Sequence, residues 1–297
     1  MPGKSVAVIG GINMDIWGRP AARLLERDST PGFVRMMPGG VGRNIAHDLR
    51  LLGLPVSLVA ALGEDINGRT LLDSCRKLGL DMTLSPVIPG RNSSCYLYIT
   101  DEQGDMKLAI NEMDICREIS PAYLETILPQ LDRFSALVID ANLSEEAIAF
   151  LCRNVRIPLY ADTVSTAKAA RLLPCLPSFR AIKPNAAEAE TLTGEHDPVK
   201  AAEKLLEAGV PQVFISRGAE GMVAADAKDL LILPPMSKTV VNTNGAGDAA
   251  TAAIVCADLL GMDLRQTAHA AQLAGALTCR SELSNAPELS RLFDEMI

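Results

Sequence analysis

Asn242-Thr243-Asn244-Gly245-Ala246-Gly247-Asp248 places a lone carboxylate directly after two glycines, where a long alanine-rich helical pattern begins. Glycines let backbone N–H groups turn inward at a helix start, where orphan donors and the positive end of the dipole can hold an anion. Asp248 then stands where it can take the proton from an attacking hydroxyl, so the heptad suits phosphoryl transfer. An ordinary glycine turn with an acid in the first helical turn has the same local sequence, and residues elsewhere must decide between the two.

Working outward, the short apolar runs Val6 to Ile9, Val56 to Ala61, Ala136 to Ile139, Leu159 to Ala161, Ala181 to Ile182 and Val213 to Ser216 read as buried strands. Helical patterns lie between them: Asn44 to Leu52, Gly68 to Leu78, Pro121 to Leu131, Glu145 to Asn154, Ala186 to Leu192, Pro198 to Glu207, Ala246 to Leu260 and Leu264 to Thr278. This alternation predicts an α/β fold, a mostly parallel central sheet with helices on both faces, whose ligands gather at the strand C-termini. Two regions, about 14–37 and 91–111, break the rhythm with period-two stretches. In the second, Ser94 to Ile99, the turn Asp101-Glu102-Gln103-Gly104-Asp105 and Met106 to Ile110 predict a β-hairpin. Both insertions follow strand ends, so they are expected to form one small sheet over the active side, a lid on a single domain covering 1–297.

The chain has 297 residues, 48% of them hydrophobic, which suffices for a sizeable core. A net charge of −8 without a dense Lys/Arg run argues against nucleic acid or an anionic membrane surface as partner, and favours small molecules. Seven cysteines without a C-x-x-C pair argue against a disulfide framework or a zinc site and fit a reducing cytoplasm. No run of about 18 apolar residues predicts a membrane span. Three dispersed histidines suggest no metal cluster.

Gly3-Lys4-Ser5 matches the end of a P-loop but precedes the first strand, and Gly10-Gly11-Ile12-Asn13 does not complete a dinucleotide fingerprint. Asn13 and Asp15 occupy alternate positions that point the same way in an extended segment, where an amide and a carboxylate can grip adjacent sugar hydroxyls; an Asx-type turn is the competing reading. Gly39, Gly40 and Asn44 belong to Pro38-Gly39-Gly40-Val41-Gly42-Arg43-Asn44, a loop that opens a helix and lets backbone approach a ligand. In Lys183-Pro184-Asn185-Ala186-Ala187-Glu188, Asn185 and Glu188 lie one turn apart and either organise Mg²⁺ with its waters around phosphates or form a capping box. Ser216-Arg217-Gly218-Ala219-Glu220-Gly221 turns after a strand, either around a nucleotide or as a simple β-turn.

In this order and at these separations, the motifs resemble the ribokinase-like (PfkB) family of sugar and nucleoside kinases over essentially the whole chain. The resemblance implies ATP- and Mg²⁺-dependent transfer of the γ-phosphoryl group to a sugar CH₂OH. Asp248 would be the base and Gly245, Ala246 and Gly247 the anion hole. Asn13, Asp15, Gly39, Gly40 and Asn44 would hold substrate; Asn185, Ser216, Gly218, Gly221, Asn244, Gly245 and Gly247 would hold nucleotide, with Glu188 on Mg²⁺ through water. A β lid often shared in dimers is implied too, hence a homodimer. Within the family, Pro38 to Ala46 and Leu108 to Ile115 look most like the pseudouridine kinases, in which Asn111 would read the base edge or a ribose hydroxyl. Asp162, Ser165 and Lys168 resemble a further substrate segment, although Thr163 replaces its usual proline. Asn242 stands where many relatives carry an aspartate linked to monovalent-cation binding, and Asn244 where threonine is usual, so K⁺ activation is an open expectation. The alternatives are a kinase of another ribonucleoside or a free sugar of ribose or fructose type, and a catalytically silent nucleoside sensor.

Overall fold

The apolar runs become strands whose two faces feed two different cores. The computed structural model describes residues 3–25, 27–236 and 240–294. In chain order, β1 (Val6–Ile9), β2 (Asn13–Pro20), β3 (Gly32–Gly39), α1 (Val41–Leu51), β4 (Val56–Val59), β5 (Leu62–Gly63) and α2 (Ile66–Lys77) form the first third. Next come β6 (Val87–Ile88), β7 (Cys95–Thr100), β8 (Met106–Glu112), α3 (Pro121–Leu131), β9 (Ala136–Asp140), α4 (Glu145–Asn154), β10 (Leu159–Asp162) and α5 (Thr166–Ala169). The remainder is β11 (Ala181–Ile182), α6 (Ala186–Thr193), α7 (Pro198–Glu207), β12 (Gln212–Ser216), β13 (Met222–Asp226), β14 (Leu230–Leu233), α8 (Ala246–Leu259) and α9 (Leu264–Arg280).

Eight strands make the main sheet in the order β14-β13-β12-β11-β10-β9-β1-β4. Neighbours from β12 to β4 pair in parallel, whereas β13 and β14 add antiparallel pairs at one edge. Strand side chains alternate between faces. Val6 and Val8 of β1 therefore join the core with α1, α8 and α9, while Ala7 and Ile9 join the core with α3, α4, α6 and α7. On α8, Ala249, Ala252, Ala253 and Ala257 are fully buried, as are Ala268, Ala271 and Ala274 of α9, the helix packed beside it. Residues this small let two helices lie close on one sheet face.

The helix starts carry the signals that polar residues confer there. Ser120 and Ser144 cap α3 and α4 through their hydroxyls, and Asp263 forms a capping box with Gln266 on α9. The period-two insertions form a second sheet in the order β3-β2-β7-β8. The expected hairpin is β7 and β8, closed where Asp101 Oδ1 accepts from Gln103 N and Asp105 N.

The structure differs from the pattern reading in three places. The run expected as a strand to Ala61 stops at Val59, and the chain beyond it pairs Leu62 with Val87 in a separate two-stranded sheet. Helix α1 begins at Val41 rather than Asn44: Gly40, with φ +102°, is its N-cap, and Gly42 lies inside the first turn. Strands β13 and β14 were not anticipated: the first is buried and apolar without alternation from Met222 to Ala225, and the second lies on a sheet edge.

Candidate functional site

The C-terminal ends of β1, β9, β10, β11 and β12 converge on the start of α8. Here Gly245 has φ +81°, and a Cβ on it would lie 1.9 Å from the Ser284 carbonyl oxygen, so only glycine fits. Ala246 opens α8, and Asp248 follows in its first turn with 9% of its surface exposed. One Asp248 carboxylate oxygen accepts from Asn44 Nδ2 at 2.9 Å. Burial pushes the Asp248 pKa up to about 7, helped by the charges of Asp162 and Asp140; Asn44 and the positive charge of Lys183 pull it partway back.

Lys183 is the main addition to the residues expected from sequence. Its Nζ lies 3.0 Å from where a Cβ on Gly247 would stand, and 3.7 Å from Asp162 Oδ2. A buried amine at the first turn of α8 adds positive charge to the helix terminus, the place where an anion is favoured. Asp162 lies beneath, accepting from Thr251 Oγ1 at 2.7 Å and from Val164 N at 2.9 Å. It was expected to touch substrate; its carboxylate instead faces protein groups in the floor of the site.

Asn13, Asp15, Gly39, Gly40 and Asn44 come together on the other side of Asp248. Asn13 Nδ2 donates to Asp15 Oδ1, as alternate residues of an extended strand allow. Asn13 is the register partner of Gly39. A Cβ on Gly39 would meet Asp15 Oδ2 at 2.3 Å, so the missing side chain makes room for that carboxylate. Burial raises the Asp15 pKa against the pull of Asn13 and Arg43. Asn44 is oriented by a buried network that sequence reading missed. Arg43 Nη1 donates to Asn44 Oδ1 at 3.1 Å and to Asn285 Oδ1 at 3.0 Å, and Asn285 Nδ2 donates to Asp48 Oδ1 at 2.8 Å. With its oxygen engaged by Arg43, the Asn44 amide presents its nitrogen to Asp248.

A cavity of about 570 Å³ lies on the far side of Gly247, lined by Ser216, Gly218, Gly221, Ala246 and Gly247, and by the small residues of α9. Asn185 adjoins it through a bridge to Ser216, whose N–H donates to the Pro184 carbonyl at 3.0 Å. Of the two readings of Asn185 and Glu188, the capping box is present: Glu188 N donates to Asn185 Oδ1 at 2.9 Å, and Asn185 N to Glu188 Oε2 at 2.8 Å. The same Glu188 oxygen accepts from Thr163 Oγ1. The departure at Thr163 thus has a structural use, since proline carries no hydroxyl.

A second cavity, about 600 Å³, brings Asn111 together with Lys168, Asn142 and Arg171. Lys168 Nζ donates to Asn142 Oδ1 at 2.6 Å, and burial lowers the Lys168 pKa against the pull of Asp140. The buried Asp140, also missed from sequence, accepts from Gly11 N and Asn142 N and so fixes the chain after β1 and β9. Ser165 stands at the start of α5 without a side-chain cap bond. Asn242 and Asn244 form a local turn just before Gly245: Asn242 Oδ1 accepts from Asn244 N at 3.0 Å, and Asn244 is exposed.

An eight-stranded α/β sheet with a small second sheet beside its strand C-termini is a ribokinase-like fold. The Arabidopsis thaliana ribokinase complexed with ribose and ATP matches it with a TM-score of 0.86, at 20% identity, over 98% of each chain. The model for the pfkB family carbohydrate kinases matches residues 3–291, and the chain belongs to that family. A pseudouridine kinase of Escherichia coli (strain K12) is 34% identical over 292 residues, covering 96% of this chain and 93% of that protein. An uncharacterized sugar kinase of the same organism, YeiI, is 33% identical over 291 residues, covering 95% and 80%. Among the described residues no helix is long and apolar enough to cross a membrane.

Proposed function

We propose that the chain is an ATP-dependent kinase that phosphorylates the 5′-hydroxyl of pseudouridine, giving pseudouridine 5′-phosphate and ADP. The observation that carries this reading is Asp248. It is a carboxylate at the first turn of α8, held by Asn44, with a pKa near neutrality, and its neighbour Gly247 lies against Lys183. Asn13 and Asp15 grip the ribose hydroxyls and set the 5′-oxygen toward Asp248. That oxygen bonds to the γ-phosphorus as the bond to the leaving ADP oxygen breaks, and the hydroxyl proton passes to Asp248. The backbone N–H groups of Gly245 to Gly247 and the amine of Lys183 meet the charge on the moving group. Mg²⁺ neutralises phosphate charge in such reactions. Glu188 fits it through water, because the capping box and Thr163 engage only Oε2 and leave the other oxygen to face a hydrated ion.

The nucleoside half of the reading is supported by the second cavity, where Asn111, Asn142 and Lys168 offer the mixture of donors and acceptors that a uracil edge needs. The similarity of the sugar kinase, almost equal to that of the pseudouridine kinase, favours a second reading in which the acceptor is a free sugar. ADP release measured with pseudouridine, uridine, adenosine, ribose and fructose, with and without Mg²⁺ and K⁺, separates the two. Turnover confined to ribose or fructose discards the pseudouridine assignment, and a K⁺ effect tests Asn242.

We read the whole chain as one cytoplasmic catalytic unit whose insertions form its lid. The lid face opposite Asp15 exposes Val34, Met36, Leu108 and Ile110, an apolar patch that a second copy of the chain would cover. Sedimentation as a monomer at micromolar concentration would remove the dimer from this reading.

A further inference from the structure

The chain is poor in aromatic residues, with one tryptophan and four tyrosines. Yet the tryptophan and two of the tyrosines stand in a row on one face of the small sheet. Trp17 of β2 and Tyr98 of β7 are register partners, their ring centroids 6.5 Å apart and their planes within 16°. Tyr96 continues the row, 5.4 Å from Tyr98. Arg35 of β3, the register partner of Trp17 on the other side, sets its guanidinium 5.8 Å from the indole centroid. Trp17 Nε1 donates to Thr100 Oγ1 at 3.1 Å, which fixes the ring.

All three rings are half-exposed, although the chain has two apolar cores that would bury them. Their face is that of Asp15, by the period of two along β2, and Tyr96 is the register partner of Asp15. Asn111, which lines the second cavity, is in turn the partner of Tyr96. The row thus starts between the carboxylate proposed for the ribose and the amide proposed for the base, and runs outward along the strand. Cross-strand ring pairs stabilise a sheet wherever they lie. That effect does not account for their collection, half-wet, on the one face that meets the acceptor.

We infer that this row is a stacking wall for a planar ring carried at C1′ of the acceptor. Tyr96 and Tyr98 are its specificity-determining residues, and Trp17, steadied by Arg35 and Thr100, is the positioning residue behind them. The inference rests on the nucleoside reading above and deepens it. The wall selects nucleosides over free pentoses, because only a base covers the rings, while the ribose grip of Asn13 and Asp15 serves both. A π-face accepts any base, so the choice among bases falls to polar groups such as Asn111.

Trp17 is the only tryptophan, so its emission reports directly on the wall. Titration of the wild-type chain with pseudouridine is expected to quench that emission, and titration with ribose to leave it unchanged. Tyr96→Leu and Tyr98→Ser are expected to lower the ratio of kcat/KM for pseudouridine over ribose by about tenfold, through KM rather than kcat. Tyr96→Phe, which keeps the ring and reports on folding, is expected to restore the ratio. Nucleoside turnover whose ratio to ribose is unmoved in both Tyr96→Leu and Tyr98→Ser overturns the wall and leaves the nucleoside reading standing. A wild-type chain that phosphorylates free sugars alone removes both together.

Discussion

Asn44 Nδ2 donates to Asp248 Oδ2 at 2.9 Å, joining α1 to α8 across 204 residues of sequence. The bond leaves the other Asp248 oxygen outside this pairing. Because Arg43 engages the Asn44 oxygen, the amide cannot turn over without losing a buried hydrogen bond to a charged group. Asp248 is thereby aimed by a partner that does no chemistry of its own.

Replacing Asp248 with Asn should lower kcat by about 10² to 10⁴-fold with acceptor affinity nearly unchanged, the range associated with a positioned general base. ADP release gives the rate and calorimetric titration the affinity. Near-normal turnover in this variant would return the heptad at 242–248 to an ordinary capped turn.

The same carboxylate makes a stability prediction. Its folded pKa, about 7, stands above its ordinary value of 3.8, so between those limits the folded state holds a proton that the unfolded state releases. Its contribution to stability is therefore present at low pH and is lost as pH rises from about 4 to about 7. Asp248→Asn should raise Tm at pH 8 by more than it does at pH 4. An equal change at both pH values contradicts a raised pKa.

Asp162 raises the Asp248 pKa by charge repulsion. In kcat/KM profiles of the wild type, activity should climb with pH through about 7 and then level, since the base must be ionised. Asp162→Asn should move that limb toward acid, whatever it does to the plateau. A limb that stays in place would show that a different group titrates.

Glu188→Gln retains an oxygen for the Asn185 N–H and the Thr163 hydroxyl but removes the charge. It should leave Tm nearly unchanged and raise the Mg²⁺ concentration needed for half-maximal rate several-fold. An unaltered Mg²⁺ requirement would assign Glu188 to the α6 cap alone.

Asn285→Ala leaves Arg43 and Asp48 each short of a buried partner, which costs roughly 1–3 kcal/mol. Thermal unfolding reads that loss. Activity should fall further than Tm implies, because Arg43 steadies Asn44. A loss of stability with kcat intact would separate the network from the site.

Much of the framework was legible in the sequence for a local reason. Runs such as Val6 to Ile9 and Ala136 to Ile139 are buried on both faces, and that shows as unbroken hydrophobicity. Asn13, Asp15, Gly39, Gly40 and Gly245 to Asp248 could be picked out as candidates because glycines and short polar residues beside strand ends and helix starts stand out locally. The hidden part depends on distant partners. Asp140 matters through the Gly11 N–H, 129 positions away. Asn285 matters through α1, more than 230 positions away. Lys183 directly follows Ile182, and a cation one residue beyond a buried strand end was its available signal. Strand β13 gave none, because an apolar run between glycine and aspartate suits a loop flank equally.

The path of the chain between β1 and β2 has one more consequence. Only Gly10, Gly11 and Ile12 separate them, so Asn13 and Asp15 ride on the small sheet, whereas Lys183 follows β11 of the large sheet and Asp248 stands on α8, which packs against that sheet. On the roles proposed above, the ribose grip and the base for transfer thus sit on different elements of the same chain. Drift in β2, β3, β7 and β8 can re-educate the enzyme toward a new acceptor while the start of α8 stays untouched, so relatives of similar identity can share one reaction and differ in what they feed it.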